Sequence, residues 1–338
     1  MAVNGDFADV TAALAAMGLA PAGPCGIKVL GGGVSCDVFA VSTLSGTICV
    51  KRALPKLRVA ADWRAPAERS HAEVEWMRLV AGIDPSRVPA ILGEDRTRNM
   101  FAMEYFPPAT YPGWKSLLAD GKADAAFAAC VGGALARIHA ATAGRDDIAR
   151  RFRNAAQFHA LRVDAYLLFT AAKHPDVAPT IRAMAASLGR ARIALMQGDI
   201  SPKNILAGPG GPVFLDAETC SYGDPAFDLA FCLNHLLLKC VWHPEHAAAY
   251  AACFESLTAA YFAGAGWEDP VRLESRTAGL LSAFLLARID GKSPVEYITA
   301  DGDKQFVRAV AKQFLKGSAI SLKAMLARWT EALAARHM

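Results

Sequence analysis

No stretch of this 338-residue sequence reaches the roughly 18 uninterrupted apolar residues that a membrane-spanning helix needs. The nearest approach, Leu229 to Trp242, is broken by Asn234, His235 and Lys239, so no membrane association is expected. The first residues lack a basic cluster and carry Asp6 and Asp9, which argues against a secretory leader. Phe7 to Met17 reads instead as a helix closed by Gly18. The eight cysteines include no Cys-x-x-Cys pair and lie mostly in apolar runs. They are expected to be reduced core thiols of a cytoplasmic protein, neither a disulfide framework nor a zinc site. Charge of one sign is also scarce: the net value is +4, too small for a nucleic-acid footprint. Repeats and low-complexity tracts are absent, and nothing sets an oligomeric state. The length does suffice for two lobes and a sizeable core.

What the sequence does have is a polar loop between apolar runs. Ala194-Leu195-Met196 leads into Gln197-Gly198-Asp199-Ile200-Ser201-Pro202-Lys203-Asn204. Two β-prone arms follow, Ile205–Ala207 and Val213–Leu215, joined by Gly208-Pro209-Gly210-Gly211-Pro212, a strong turn signal. Pairing symmetric about Gly210 places Asn204 opposite Asp216, with Asp199 one loop away. Two hard oxygen donors beside a further carboxylate suit Mg²⁺ and a hydroxyl substrate. The order Asp-x-x-x-x-Asn followed by Asp is that of a kinase catalytic loop. Asp199 is then the candidate base, Asn204 and Asp216 are candidate metal ligands, and Glu218 is a third carboxylate for the metal.

The amino-terminal third reads as strands. Ile27–Leu30 runs into the glycine-rich Gly31-Gly32-Gly33-Val34-Ser35-Cys36-Asp37, and Val38–Ser42 and Thr47–Lys51 flank a turn at Ser45-Gly46. A glycine-rich loop between strands lets backbone N–H groups approach phosphates without Cβ interference, which nominates Gly32, Gly33, Val34 and Ser35. Lys51, ending an apolar strand, can reach the α- and β-phosphates. A helix over 66–80 puts Met77 and Val80 on the face of Glu73, so Glu73 is the expected partner of Lys51, with Glu75 as the alternative. Asn99–Phe106 is a strand ending at Pro107-Pro108. By its order in the chain, Met103, Glu104, Tyr105 and Phe106 form the hinge that meets the adenine edge.

From Trp114 onward the patterning is helical, with helices expected over 123–140, 154–171, 178–189, 225–239, 245–263, 271–288 and 303–334. His139 and His159 read as packed or surface residues, and the proline in His243-Pro244-Glu245-His246 argues against a ligating helix face. Asp224 and Asp228 sit at a helix start, where carboxylates complement free N–H groups, with Asp228 expected to brace the loop at Asp199.

Three of these stretches together resemble the aminoglycoside phosphotransferase family: Gln197 to Asn204, Leu215-Asp216-Ala217-Glu218, and Tyr222-Gly223-Asp224-Pro225 through Asp228-Leu229-Ala230. That family usually has histidine where this chain has Gln197. Val50 to Arg58, with Trp63 and Arg69, looks like the methylthioribose kinase branch, and Val34-Ser35-Cys36 resembles the family's Val-Ser-Asn. The likeness covers roughly residues 28 to 300. It implies an α+β, protein-kinase-like two-lobed fold. Residues 1–103 would be a β-rich nucleotide lobe with the hinge at 103–106, and 107–338 a helical lobe with the catalytic loop and substrate cleft. It also implies ATP and Mg²⁺ as cofactors and a small hydroxylated molecule, sugar-like or an amino alcohol, as acceptor. Two alternatives stand beside this reading: a nucleotide-binding pseudokinase, favoured by Gln197 alone, and an aminoglycoside-modifying resistance kinase. A polycation pocket should be strongly acidic, yet residues 230–300 hold seven acidic against five basic side chains. Arg162, Arg288, Trp242 and His243 are the pocket candidates, and they suit a neutral or anionic acceptor better.

Overall fold

The computed structural model describes residues 7–19, 26–31, 35–56, 58, 65–317 and 321–336. The chain divides into two compact units, Met1–Thr110 with Leu215–Glu218, and Tyr111–Phe214 with Thr219–Met338.

In the first unit α1 (Ala8–Ala16) precedes β1 (Ile27–Leu30), β2 (Cys36–Thr43), β3 (Gly46–Ala53), α2 (Arg69–Ile83), β4 (Ile91–Asp95) and β5 (Met100–Glu104). The strands make one antiparallel sheet in the order β1-β2-β3-β5-β4. Alternation along the strands sorts its two faces. Phe39, Val41, Ile48, Val50, Met100 and Ala102 pack with Val10, Ala13 and Leu14 of α1. Cys49, Lys51, Phe101 and Met103 therefore point to the other face, and α2 covers it. The buried stripe of α2 (Arg69, Ser70, Glu73, Val74, Trp76, Met77, Val80) follows helical spacing. Each fully buried aliphatic of that kind contributes about 1.5–3 kcal/mol. The helix stops where Asp84 turns extended before Pro85, three residues beyond the expected end. β4 is not among the expected strands. Its Ile-Leu-Gly-Glu-Asp sequence holds a glycine and two acids, and its pairing is irregular between Ile91 and Gly93.

The second unit is mostly helical. Its helices are α3 (Trp114–Ala119), α4 (Ala125–Thr142), α5 (Asp146–Arg151), α6 (Ala155–Phe158), α7 (Phe169–Lys173), α8 (Ala178–Arg190), α9 (Ala226–Trp242), α10 (Ala247–Gly264), α11 (Pro270–Asp290), α12 (Asp301–Lys316) and α13 (Leu322–Arg336). A π-helix, His159–Leu168, joins α6 to α7. β6 (Ala194–Met196) pairs with β9 (Ser221–Gly223), and β7 (Ile205–Gly208) with β8 (Gly211–Phe214). Helix α9 is buried from Ala226 to Val241, in keeping with a sequence that is mostly apolar but also buries Asp228, Asn234, His235 and Lys239. It packs against α10, α11 and α13. Helices α4 and α10 approach closely: a Cβ on Gly132 would stand 2.1 Å from the Leu257 carbonyl oxygen.

Three expectations need correction. The single helix over 303–334 is two, α12 and α13, because Gly317 adopts an extended conformation after α12. The hairpin register is shifted by one: Ile205 faces Phe214 and Gly208 faces Gly211 across a two-residue turn, so Asn204 is not opposite Asp216. An even loop replaces the odd one centred on Gly210, and a one-residue slip exchanges the faces. Finally, α4 rather than Leu229–Trp242 is, among the described residues, the helix long and apolar enough to cross a membrane. Half of its apolar window is buried within the protein.

Candidate active site

In the first unit the central feature is one ammonium among carboxylates. Lys51, inward on β3 and only 5% exposed, donates to Glu73 Oε1 and Oε2 at 2.7 and 2.8 Å and to Asp216 Oδ1 at 2.5 Å. Burial penalises its charge, but the anionic neighbours, Asp216 foremost, outweigh that and hold Lys51 well above the usual lysine range. Glu73 is pushed up to about 7, by burial first and by Asp216 and Glu218 nearby, with Lys51 opposing. The alternative Glu75 lies toward Arg78 at 3.1 Å instead. Asp216 holds a left-handed backbone, φ 65°, which non-glycine residues rarely adopt and which strained functional sites often retain.

Arg69, fully buried at the start of α2, has a role that the sequence reading missed. Its Nε donates to Glu218 Oε2 at 2.8 Å. Nη1 donates to the carbonyls of Ala65 and Pro66, and Nη2 to those of Ser35 and Leu54. All five N–H groups are thus used, and one side chain ties the exit of the glycine-rich stretch to β3, α2 and Glu218. Gly32, Gly33 and Val34 lie outside the described residues. Ser35 is buried, and the Cys36 thiol after it is pushed up to about 12 by burial. Met103 and Glu104 end β5, with Tyr105 and Phe106 just beyond it. The Glu104 N–H donates to Ala90 at 2.9 Å.

In the second unit, Asp199 lies in the loop after β6. Gly198 before it takes φ 82°, and a Cβ there would stand 2.6 Å from the Thr219 carbonyl oxygen, so only glycine fits. Buried Asp228 on α9 fixes the same turn, accepting from the N–H of Gln197 at 2.7 Å and of Gly198 at 2.9 Å. His139 on α4 sits between Asp228 (3.3 Å) and Tyr261 (2.8 Å), so it is a bracing residue inside the unit rather than a surface one. Gln197 Oε1 accepts the Asp199 N–H at 2.6 Å.

The Asp199 carboxylate is anchored through one oxygen. Oδ2 takes Asn204 Nδ2 at 2.8 Å, Arg162 Nη2 at 3.2 Å and Lys203 Nζ at 3.3 Å, three contacts on the same oxygen. Asn204 Nδ2 also donates to the Asp199 carbonyl at 3.0 Å, which directs its own Oδ1 elsewhere. Arg162 comes from the π-helix, a feature frequent at functional sites, and also donates through Nε to the Gly198 carbonyl. Asp224 caps the start of α9 through the Ala226 N–H at 3.0 Å and pairs with Arg276 at 2.8 Å, a structural role. His243 pairs with Glu245, and among the described residues no cluster of three or more His, Cys, Asp or Glu could hold a metal.

The model of a family described as the phosphotransferase enzyme family (APH) matches residues 26–270. Methylthioribose kinases 1 and 2 of Oryza sativa subsp. japonica are each 24% identical over 258 residues, covering 65% of this chain and 58% of the relative. The chain thus spans less than two thirds of these relatives. Among solved structures, a choline/ethanolamine kinase family protein from Mesorhizobium loti superposes with a TM-score of 0.55 at 17% identity, covering 96% of this chain and 99% of its own. Amicoumacin kinase hAmiN, solved with AMP-PNP, Ca²⁺ and Ami, gives a TM-score of 0.54 at 13% identity, covering 89% and 91%. These likenesses establish the protein-kinase-like α+β fold.

Proposed function

The chain belongs to the phosphotransferase enzyme family (APH), and on that premise we propose that it transfers the γ-phosphate of ATP to a hydroxyl of a small metabolite. The observation that carries this reading is the Lys51 ammonium, drawn from β3 to Glu73 on α2 and to Asp216, which is far off in sequence. A buried ion cluster of this kind adds little stability over an apolar one, so its retention favours a chemical task. Lys51 would hold the α- and β-phosphates, with Gly32, Gly33, Val34 and Ser35 along the phosphates and Met103 to Phe106 along the adenine. Glu73 would orient the lysine.

Asp199 is the proposed base. Its anchored Oδ2 fixes the carboxylate plane, and Oδ1 would receive the acceptor's proton. Each unit offers hard oxygen donors of the kind magnesium takes: the carboxylates of Asp216 and Glu218 in the first, and the neutral amide oxygen of Asn204 in the second. Bound with the nucleotide, the metal would neutralise phosphate charge. Gln197 does not favour a pseudokinase, since its side chain makes the local contact that holds the loop.

The test is melting with and without millimolar Mg-ATP, together with ADP release in a panel of hydroxylated metabolites. At ~100-fold excess over Kd a nucleotide ligand stabilises by about 2.7 kcal/mol. Asp216→Ala should remove the metal-dependent part of that shift. No shift with any Mg-nucleotide would refute the reading.

A further inference from the structure

The second unit buries a lysine ammonium that makes no hydrogen bond to a carboxylate among the described residues. Helix α9 presents His235, Lys239 and Trp242 at helical spacing. Lys239 is 1% exposed, and its Nζ has no hydrogen-bond partner. It lies 4.7 Å from the centre of the Trp242 ring and 4.8 Å from that of Tyr297. His235 is 8% exposed; its Nδ1 meets the Tyr297 hydroxyl at 3.2 Å, while its Nε2 has no partner. The Nε of Arg288 is likewise buried without a partner. Three nitrogen atoms from two helices, Lys239 Nζ, His235 Nε2 and Arg288 Nε, are therefore buried without a hydrogen-bond partner, although Arg288 Nη1 donates to Tyr166 and Ser293. Such burial is costly where no ligand is involved.

The electrostatics agree. Lys239 is lowered to about 8, by burial first and then by Lys115. His235 is lowered well below its usual range, by burial first and then by Arg288, Lys239, Lys203 and Lys115. The nearby carboxylate, Glu296, is already paired with Lys115. The half-buried Trp242 and Tyr297 border this cluster, and their rings, 4.8 Å apart and tilted by 30°, form its aromatic wall.

The cluster also connects to the proposed base within the same unit. Arg162, on Asp199, lies over the Phe231 ring at 5.9 Å, and Phe231 meets the His235 ring at 6.1 Å. Lys203, whose charge reaches His235, also touches Asp199.

We propose that Lys239, His235 and Arg288 receive an oxyanion, carboxylate or phosphate, on the acceptor, whose hydroxyl then lies toward Asp199. This rests on the phosphotransfer reading and narrows the acceptor to an anionic hydroxylated molecule. A cationic amino alcohol or aminoglycoside fits poorly. The aromatic faces suited to its ammonium already hold that of Lys239, and the surrounding charges repel it.

The experiment compares matched probes at constant ionic strength: ribose, ribonate, ribose 5-phosphate, ethanolamine and kanamycin. Melting reads binding, and ADP release reads turnover. Ribonate or ribose 5-phosphate should raise the melting temperature and turn over with the higher kcat/KM, and the two arms separate a carboxylate from a phosphate. Lys239→Met, an apolar chain of similar length, should stay folded and keep its Mg-nucleotide shift. It should lose roughly ten- to hundredfold in affinity for the oxyanion probe, with partial recovery in Lys239→Arg. The proposal is overturned if neither oxyanion probe shifts the melting temperature, if Lys239→Met keeps the wild-type shift, or if ribose, ethanolamine or kanamycin is preferred. Those outcomes leave the phosphotransfer reading intact, since it stands or falls on the Mg-nucleotide shift.

Discussion

The side-chain carbonyl of Gln197 accepts the backbone N–H of Asp199 at 2.6 Å. The bond spans two residues and closes the turn that Asp228 holds from the other side through the N–H groups of Gln197 and Gly198. An imidazole nitrogen can accept the same N–H, so the contact depends on an acceptor of suitable reach and not on histidine chemistry. Gln197→His is expected to keep the rate within about tenfold, or ~1.4 kcal/mol. Gln197→Ala leaves a buried N–H unpaired and should cost about 1–3 kcal/mol in stability or barrier. Steady-state kinetics and melting of the two variants check this; a large gain in Gln197→His would mean that the native loop is impaired.

Arg69 gives the sharpest stability prediction. Its guanidinium satisfies four carbonyls and Glu218 with no spare donor. Lysine carries three donors on one point and cannot span those acceptors. Arg69→Lys and Arg69→Met should each lose about 3–5 kcal/mol, the scale for breaking a buried pair. Since Ser35 adjoins the proposed phosphate loop, Mg-nucleotide affinity should fall as well. Thermal melting of Arg69→Met within about a degree of wild type would contradict this account.

Much of the first unit is legible because strand and helix periods act locally. The alternation of β3 turns Lys51 inward, and the spacing of Glu73, Met77 and Val80 brings the glutamate to it, whereas Glu75 faces outward to Arg78. The hub at Arg69 is illegible for the opposite reason. Four of its partners are backbone carbonyls, which leave no trace in side-chain pattern. Hairpin register escapes the sequence because Gly208-Pro209-Gly210-Gly211-Pro212 permits both an odd and an even loop. Only the closing pair Gly208–Gly211 decides between them. The anchoring of Asp199 by Arg162 is non-local too: it needs the π-helical stretch to aim the guanidinium at the loop.

A pH effect should come from Asp290 at the end of α11. It accepts from Arg308 Nε and Nη2, each at 2.8 Å, and meets His174 Nε2 at 2.9 Å, joining α7, α11 and α12. Burial alone would raise its pKa, but the bonds from Arg308 and then His174 outweigh it and lower the group from its ordinary 3.8. A carboxylate depressed in the folded state contributes stability above its unfolded value, and loses it as pH falls through the folded one. Asp290→Asn should therefore melt below wild type at pH 7, by about 1 kcal/mol from its weakened bonds. The gap should narrow as the pH drops below 3.8. Melting curves from pH 7 to pH 3 test the sign; a gap that widens in acid would refute it.

The proposed base makes the final prediction, and the anchoring of Asp199 decides which variant is informative. Asp199→Ala strips the acceptor from Asn204, Arg162 and Lys203 together, so lost activity there would mix chemistry with a disturbed loop. Asp199→Asn is cleaner. Its amide oxygen can take the Oδ2 place and keep those three donors satisfied, which puts the NH₂ where Oδ1 would accept a proton. The loop should then stand while the base is lost. We expect kcat to fall by roughly 10²–10⁴-fold. The Mg-nucleotide melting shift should stay close to that of wild type, because the phosphate contacts are assigned to Lys51 and the metal to Asp216. A parallel loss of the nucleotide shift would place Asp199 in binding. Turnover within a factor of about three of wild type, far short of what a general base supplies, would remove it from the chemistry.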